Sequence, residues 1–266
     1  MHKITIKTAR EIEIMAKGGE MLAKIRDELA RIVKPGMTTG KLDILADKLI
    51  TKAGGKPSFK MVPGYKWATC ININDVVVHG IPDGTKIRRS DKIGIDVGMY
   101  YLGFHTDTSI TVVANPKSQI LNPKLTKFLE TGRLALKRAI EQAKPGNRIY
   151  DLSEAMQRTV EGAGYSAVRA LTGHGIGREL HEEPAIPCFI TGQRKHSPEI
   201  VPGMILAIEV MYNQGTEEVV YANEDGWTIA TADGKISGLF EETVAVTARG
   251  PVVLTKSKSN AKPENV

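Results

Sequence analysis

The chain repeats itself, and that limits its possible folds more than any other feature. KPGMTTGKLDILADKLITKAGG, from Lys34, aligns without a gap to KPGNRIYDLSEAMQRTVEGAGY, from Lys144, with Leu42 over Leu152 and Ala53-Gly54 over Ala163-Gly164. The likeness continues outward. A helical run precedes each KPG, VHGIP around His79 resembles GHGIG around His174, IDVGMY resembles IEVMYN, and FHTDTSITV resembles FEETVAVT. Two units are too few for a solenoid, which needs three or more stacked repeats. The duplication therefore predicts a single α+β domain over residues 1–250, with related halves at about 8–115 and 122–247. The second half differs mainly by an insertion, EEVVYANEDGWTIATADGK, whose NEDG and ADGK are turn signals within a strand meander. Beyond it, the final stretch TKSKSNAKPENV is polar without apolar period, and residues 251–266 are expected to form a disordered tail.

Within each half the elements follow from spacing. Thr8 and Glu11 match a capping box, and Ile12, Met15, Leu22, Ile25, Leu29 and Ile32 recur at helical intervals until Lys34-Pro35-Gly36 stops them. A second helix is predicted from Thr39 to the Gly54-Gly55 pair, residues 56–68 read as loop, and CININ and DVVVHGIP read as short strands. Asn122-Pro123 opens a long helix through Ile140. Between these, Ile93, Ile95 and Val97 alternate with polar or small residues, and a second β-rich run follows from Phe104 to Val113. A hairpin turning about Tyr101 and Leu102, eased by Gly103, would set Asp96 directly across from Asp107. Two facing carboxylates repel, so a sheet that keeps them requires compensation, most simply a cation between them.

The duplication extends that argument. It sets Asp96 against Glu209 and Asp107 against Glu241, and His174 lies in the same set of repeated motifs. Four carboxylates and one imidazole form a hard, oxygen-rich group suited to divalent Mn, Fe, Co or Zn, and the number of carboxylates favours two ions. Any one acidic residue on a strand is more often a solvated surface group, and a histidine in a glycine-rich turn often caps a helix. Five such residues at matching places in two halves are harder to explain that way. Position 185 is Ala, so HEEP is not the HExxH zinc helix, and GHGIG lacks the third glycine of a dinucleotide fingerprint.

Composition closes off other classes. With 266 residues and 41% apolar content, a sizeable buried core is expected. No apolar run is long enough to cross a bilayer and MHKITIK lacks the apolar segment of an export signal, so a cytoplasmic protein without a membrane partner is expected. Cys70 and Cys188 are expected to stay reduced. The net charge of +6 suits an acidic partner, but the lysines are spread along the chain and accompany no nucleic-acid motif.

VVHGIP, the pair Asp96-x10-Asp107, GHGIGRELHEEP, IEVMYN and FEET stand in this order, and together they resemble the short bacterial type of methionine aminopeptidase, a family of pita-bread metallopeptidases. The resemblance runs from about Thr8 to Thr247. It implies two pseudo-symmetric halves, a central antiparallel sheet covered by helices, and a monomeric enzyme that removes the initiator methionine of nascent chains. It also implies a preference for a small second residue and attack by a metal-bridging hydroxide. Asp96 and Asp107 would chelate and bridge the ions, Glu241 would bridge them from the other half, and His174 and Glu209 would complete one shell. His79 and His181 match the two histidines that contact substrate without binding metal, the latter steadying the oxyanion and the former the departing amide, while Glu209 matches the proton shuttle. Cys70, Tyr65 and Trp227 fall at positions lining the methionine pocket. The stretch 58–67 departs from the family's GYxGxP, showing KMVPGYKW instead. Asn74 stands near where relatives hold a monovalent cation, and the basic surface suits a ribosome. Two other readings compete: an Xaa-Pro-directed peptidase of the same fold, whose members usually carry an additional preceding domain, and a non-enzymatic pita-bread binding module, which would typically lack ligands.

Overall fold

A computed structural model of the chain describes residues 4–114 and 122–257. The first half runs α1 (Ala9–Ile32), α2 (Thr39–Lys52), β1 (Lys56–Pro57), β2 (Thr69–Ile73), β3 (Val76–Val78), β4 (Lys92–Tyr101) and β5 (Phe104–Val113). The second runs α3 (Pro123–Gln142), α4 (Ile149–Gly162), β6 (Ser166–Ala167), β7 (Thr172–Gly175), β8 (Glu182–Pro187), β9 (Ile205–Asn213), β10 (Val219–Tyr221), β11 (Ile229–Thr231), β12 (Ser237–Thr247) and β13 (Gly250–Val253). The helices start where capping chemistry places them. Thr8 Oγ1 accepts the Glu11 amide while the Glu11 carboxylate accepts the Thr8 amide, and Asn122 Oδ1 accepts the amide of Lys124.

One antiparallel sheet carries both halves in the order β1-β4-β5-β12-β9-β7-β8, with β2 on β4, β6 on β9 and β13 on β12. Each half thus repeats a pattern: a two-residue strand and a short strand both flank the long strand that leads into a hairpin-like pair. The insertion supplies β10 and β11, which join β3 in a separate three-stranded sheet. Helices back one face only. Arg26 of α1 reaches Thr108 and Glu242, the Tyr212 hydroxyl donates to Phe128 O of α3, and these residues alternate with Asp107, Glu241 and Glu209 along their strands. The acidic residues consequently point to the opposite face. Gly132 permits the close seating of α3, because a Cβ there would lie 2.5 Å from the Tyr212 hydroxyl. Apolar side chains cluster separately beneath each helical pair, and a third cluster containing Phe59, Tyr65, Cys70 and Leu180 lies under the acidic face.

The seam between the halves is narrow. β5 and β12 pair at Ser109 with Glu241 and at Thr108 with Glu242. On either side, threonine hydroxyls take the place of ladder bonds. Thr111 Oγ1 accepts the Leu239 amide at 3.1 Å and donates to its carbonyl at 2.6 Å, and Thr243 Oγ1 does the same for Asp107 at 2.9 and 2.7 Å.

Several expectations are corrected. The β4–β5 turn is centred on Leu102 and Gly103, both at positive φ (48° and 95°), the type I′ geometry that matches strand twist. Asp96 therefore faces Ser109, and Asp107 faces Gly98. The same two-residue shift makes Ser109, rather than Asp107, the mirror of Glu241, since Ser109 pairs with Asp96 as Glu241 pairs with Glu209. His79 does not mirror His174: Gly94 pairs with Asn72 as Ala207 pairs with His174, so Asn72 occupies that place. Residues 56–68 include β1 and a 3-10 turn at Phe59–Met61. The expected tail begins too early, because β13 pairs with β12, and Leu254 and Thr255 are buried. Residues 258–266 of that tail lie outside the described residues.

Candidate active site

Successive ladders line up residues at one level across four strands: Asp96 pairs with Ser109, Ser109 with Glu241, and Glu241 with Glu209. Cys70 continues the row on β2. Asp107 projects from the same face one step along β5, because side chains two residues apart on a strand share a face. His174 comes in from β7, which pairs with β9. One cavity of about 130 Å³ is lined by Asp96, Asp107, His174, Glu209 and Glu241 together with His79 and His181. The five expected ligands and the two expected substrate-contacting histidines meet there.

Their electrostatics are those of a cation seat. Burial, then repulsion from Asp96 and Glu209, raises the Asp107 carboxyl well above its ordinary range. Burial first and neighbouring carboxylates second do the same to Glu209 and Glu241, and burial lifts Asp96 to about 7. Such a group cannot all be ionised without positive charge among its members. Ligand atoms of Asp107, His174 and Glu241 lie within 4.8 Å of one another. Asp96 Oδ1 is buried without a hydrogen-bond partner among the described residues. His174 Nδ1 donates to Gly175 O at 2.9 Å, which leaves the Nε2 lone pair for a ligand, and burial holds the ring neutral with its pKa lowered to about 3. An orphaned carboxylate oxygen, a neutral imidazole and mutually repelling acids together fit divalent metal binding.

The remaining histidines sit around this seat. His181 packs edge-on against His174, ring centres 4.5 Å apart. His79, at the end of β3 with φ of 57°, faces Trp227 edge-on at 6.5 Å. Burial lowers the pKa of both, with His181 adding to the effect on His79, so both are neutral near pH 7.

An apolar recess opens off the seat. Tyr65 stands edge-on to Trp227 at 5.2 Å, and its hydroxyl bonds Thr69 O at 2.9 Å and Cys70 Sγ at 3.2 Å. Phe59, Val62, Val78 and Leu180 complete the wall. Sequence reasoning missed these four. Phe59 and Val62 lie in the aperiodic stretch 58–67, where neither strand nor helix spacing shows which side chain turns inward. From α2, the carboxylate of Asp43 fixes this wall by accepting the amides of Ala68 and Thr69 and the Thr69 hydroxyl. A larger cavity of about 550 Å³ shares His174 and His181 and continues past Thr5, Lys7, Glu11 and Arg178.

Near the place where a monovalent cation is expected, the polar atoms of Asn74 have partners within the chain. The Asn74 amide donates to Lys92 O, its carbonyl accepts the Ser237 amide, Oδ1 accepts the Lys92 amide, and Nδ2 donates to Asp91.

Comparison with known proteins follows the same lines. Residues 13–248 match the metallopeptidase family M24. The methionine aminopeptidase of Clostridium perfringens is 40% identical over 256 residues, covering 96% of this chain and 100% of that protein. A crystal structure of methionine aminopeptidase from Thermotoga maritima superposes with a TM-score of 0.90 at 38% identity, covering 96% of this chain and 100% of that one. A prolidase from Pyrococcus furiosus shares the fold more distantly, with a TM-score of 0.74 at 25% identity, and the match covers 95% of this chain but 66% of the prolidase.

Proposed function

The chain belongs to metallopeptidase family M24 and within it to the methionine aminopeptidases, and from that premise we propose how its cavity removes an amino-terminal methionine. The observation that carries the reading is the convergence of four carboxylates, two buried and two half-buried, and three neutral histidines beside one apolar recess. Asp96, Asp107, His174, Glu209 and Glu241 would hold a pair of divalent ions, which when bound would supply a water of lowered pKa and polarise the adjacent carbonyl. The methionine side chain enters the recess, where Tyr65, Cys70, Trp227 and Phe59 present the apolar, sulfur-tolerant surface that an unbranched thioether fills. His181 donates to the oxygen of the scissile carbonyl as charge develops on it. His79, across the cavity beside Trp227, donates to the nitrogen of the bond being cut. Glu209 moves the proton of the attacking water to that nitrogen. The rest of the polypeptide leaves through the larger cavity past Arg178, and the family's preference for a small second residue carries over to this site.

Residues through the end of β13 act as one catalytic unit in this reading, since both halves contribute ligands. The substrate is the start of a nascent chain, which places a monomeric enzyme in the cytoplasm, with the basic surface available to a ribosome. Among the described residues no helix is long and apolar enough to cross a membrane. The test is release of free methionine from Met-Gly and Met-Ala peptides by protein reconstituted separately with Co, Mn, Fe or Zn. Activity that a chelator abolishes supports the reading. Cleavage of Xaa-Pro peptides without methionine release overturns it in favour of a proline-directed enzyme, and activity on neither favours a binding module.

A further inference from the structure

Lys92 opens β4, four residues before Asp96 and on the same face, and it is only 1% exposed. A buried ammonium is unfavourable unless its protons find acceptors. Here Nζ donates to Asn72 O at 3.1 Å and to Val76 O at 3.0 Å, bridging the end of β2 to the start of β3. Two carbonyls converging on one buried point form the kind of oxygen cradle that an alkali cation takes, but the space is filled by a side chain of this chain. The neighbouring groups are arranged for that occupant. All four polar atoms of Asn74 are committed, two of them to the Lys92 backbone. The Asn72 side chain presents Oδ1 to the Gly80 amide at 2.9 Å, which holds the residue whose carbonyl forms half of the cradle.

We propose that the Lys92 ammonium is a built-in replacement for a bound monovalent cation, tying the β2–β3 turn to the ligand-bearing strand β4 and so positioning His79 at the end of β3. The chain from Val76 to His79 is four residues long, and Gly80 is pinned to β2 by Ile71 and Asn72, so movement of the turn passes to the His79 ring. The proposal rests on the fold and not on which bond the enzyme cuts.

The test compares thermal midpoints of the holoprotein in sodium, potassium and choline chloride at equal ionic strength. Wild type should melt at the same temperature in all three, and crystals soaked in thallium(I) should show no anomalous peak at Val76 O. Lys92→Met, similar in volume but without donors, should lower the midpoint by roughly 5 to 10 °C equally in the three salts. Lys92→Ala, which opens the cradle, should regain several degrees in sodium or potassium relative to choline. A saturable sodium or potassium effect on wild type, or a thallium peak at Val76 O, overturns the proposal, as does a Lys92→Ala protein that melts identically in all three salts. Should Lys92→Ala fail to fold, the wild-type melts and the thallium map still decide.

Discussion

A carboxylate drawn largely out of water keeps its charge only with help, and four side by side need a great deal. This turns Asp96 into a stability sensor in the metal-free protein. Its folded pKa near 7 lies above the ordinary value of 3.8, so between those values the folded state holds a proton that the unfolded state has lost. The contribution is fully present below about pH 3.8 and is lost as pH rises through 7. Asp107, Glu209 and Glu241, shifted the same way, add to the trend. Melting curves of chelated protein from pH 4 to 8 should therefore show a falling contribution from these groups, and divalent ions should restore more stability at pH 8 than at pH 5. His79→Ala and His181→Ala should each retain bound metal, measured by elemental analysis, yet lose about 10²- to 10³-fold in kcat/KM. Equal loss of metal in both would reassign them as ligands. Asp96 and Glu209 were legible because the duplicated strands single them out twice, and His79 and His181 because their motifs match those of the family. Lys92 was not: on sequence it is one more lysine, and only the fold reveals two carbonyls aimed at its ammonium.

At the level of elements, helices were more legible than pairings. Helix ends carry local chemistry that can be read residue by residue, as Thr8 with Glu11 and Asn122 with Lys124 show. Strand register depends on the turn, and nothing in YYLG announces that Leu102 will adopt positive φ. The resulting error was two residues, and because side chains alternate, a slip of two leaves each on its proper face. That is why the expected group of acids assembles although Asp96 and Asp107 are diagonal and not opposed. Pocket walls are also set by elements at a distance. Asp43→Ala should free the Ala68 and Thr69 amides, loosen the Tyr65–Cys70 wall, and raise KM for a Met-Ala peptide more than it lowers kcat. Thr111→Val should leave the Leu239 amide and carbonyl unpaired and lower unfolding stability by about 1–3 kcal/mol in denaturant titration.

Across the whole molecule, two helical pairs each cover their own half of the sheet over a separate apolar core; in that sheet β5 and β12 join the halves at two residue pairs flanked by threonine hydroxyls, and β3 and β11 join them again in the smaller sheet. The sequence indicated two related halves but not how slender their junction would be, because threonine in a strand reads the same whether it faces water or inserts into a ladder. Asp96 and Asp107 come from one side of that junction, and His174, Glu209 and Glu241 from the other. An ion held by both sets would therefore also be a clasp, fastening one copy to its twin beside the short β5–β12 seam. Stripped of that fastening, the copies should begin to melt apart, and calorimetry in chelator should show the single endotherm of the loaded protein broadening or dividing in two.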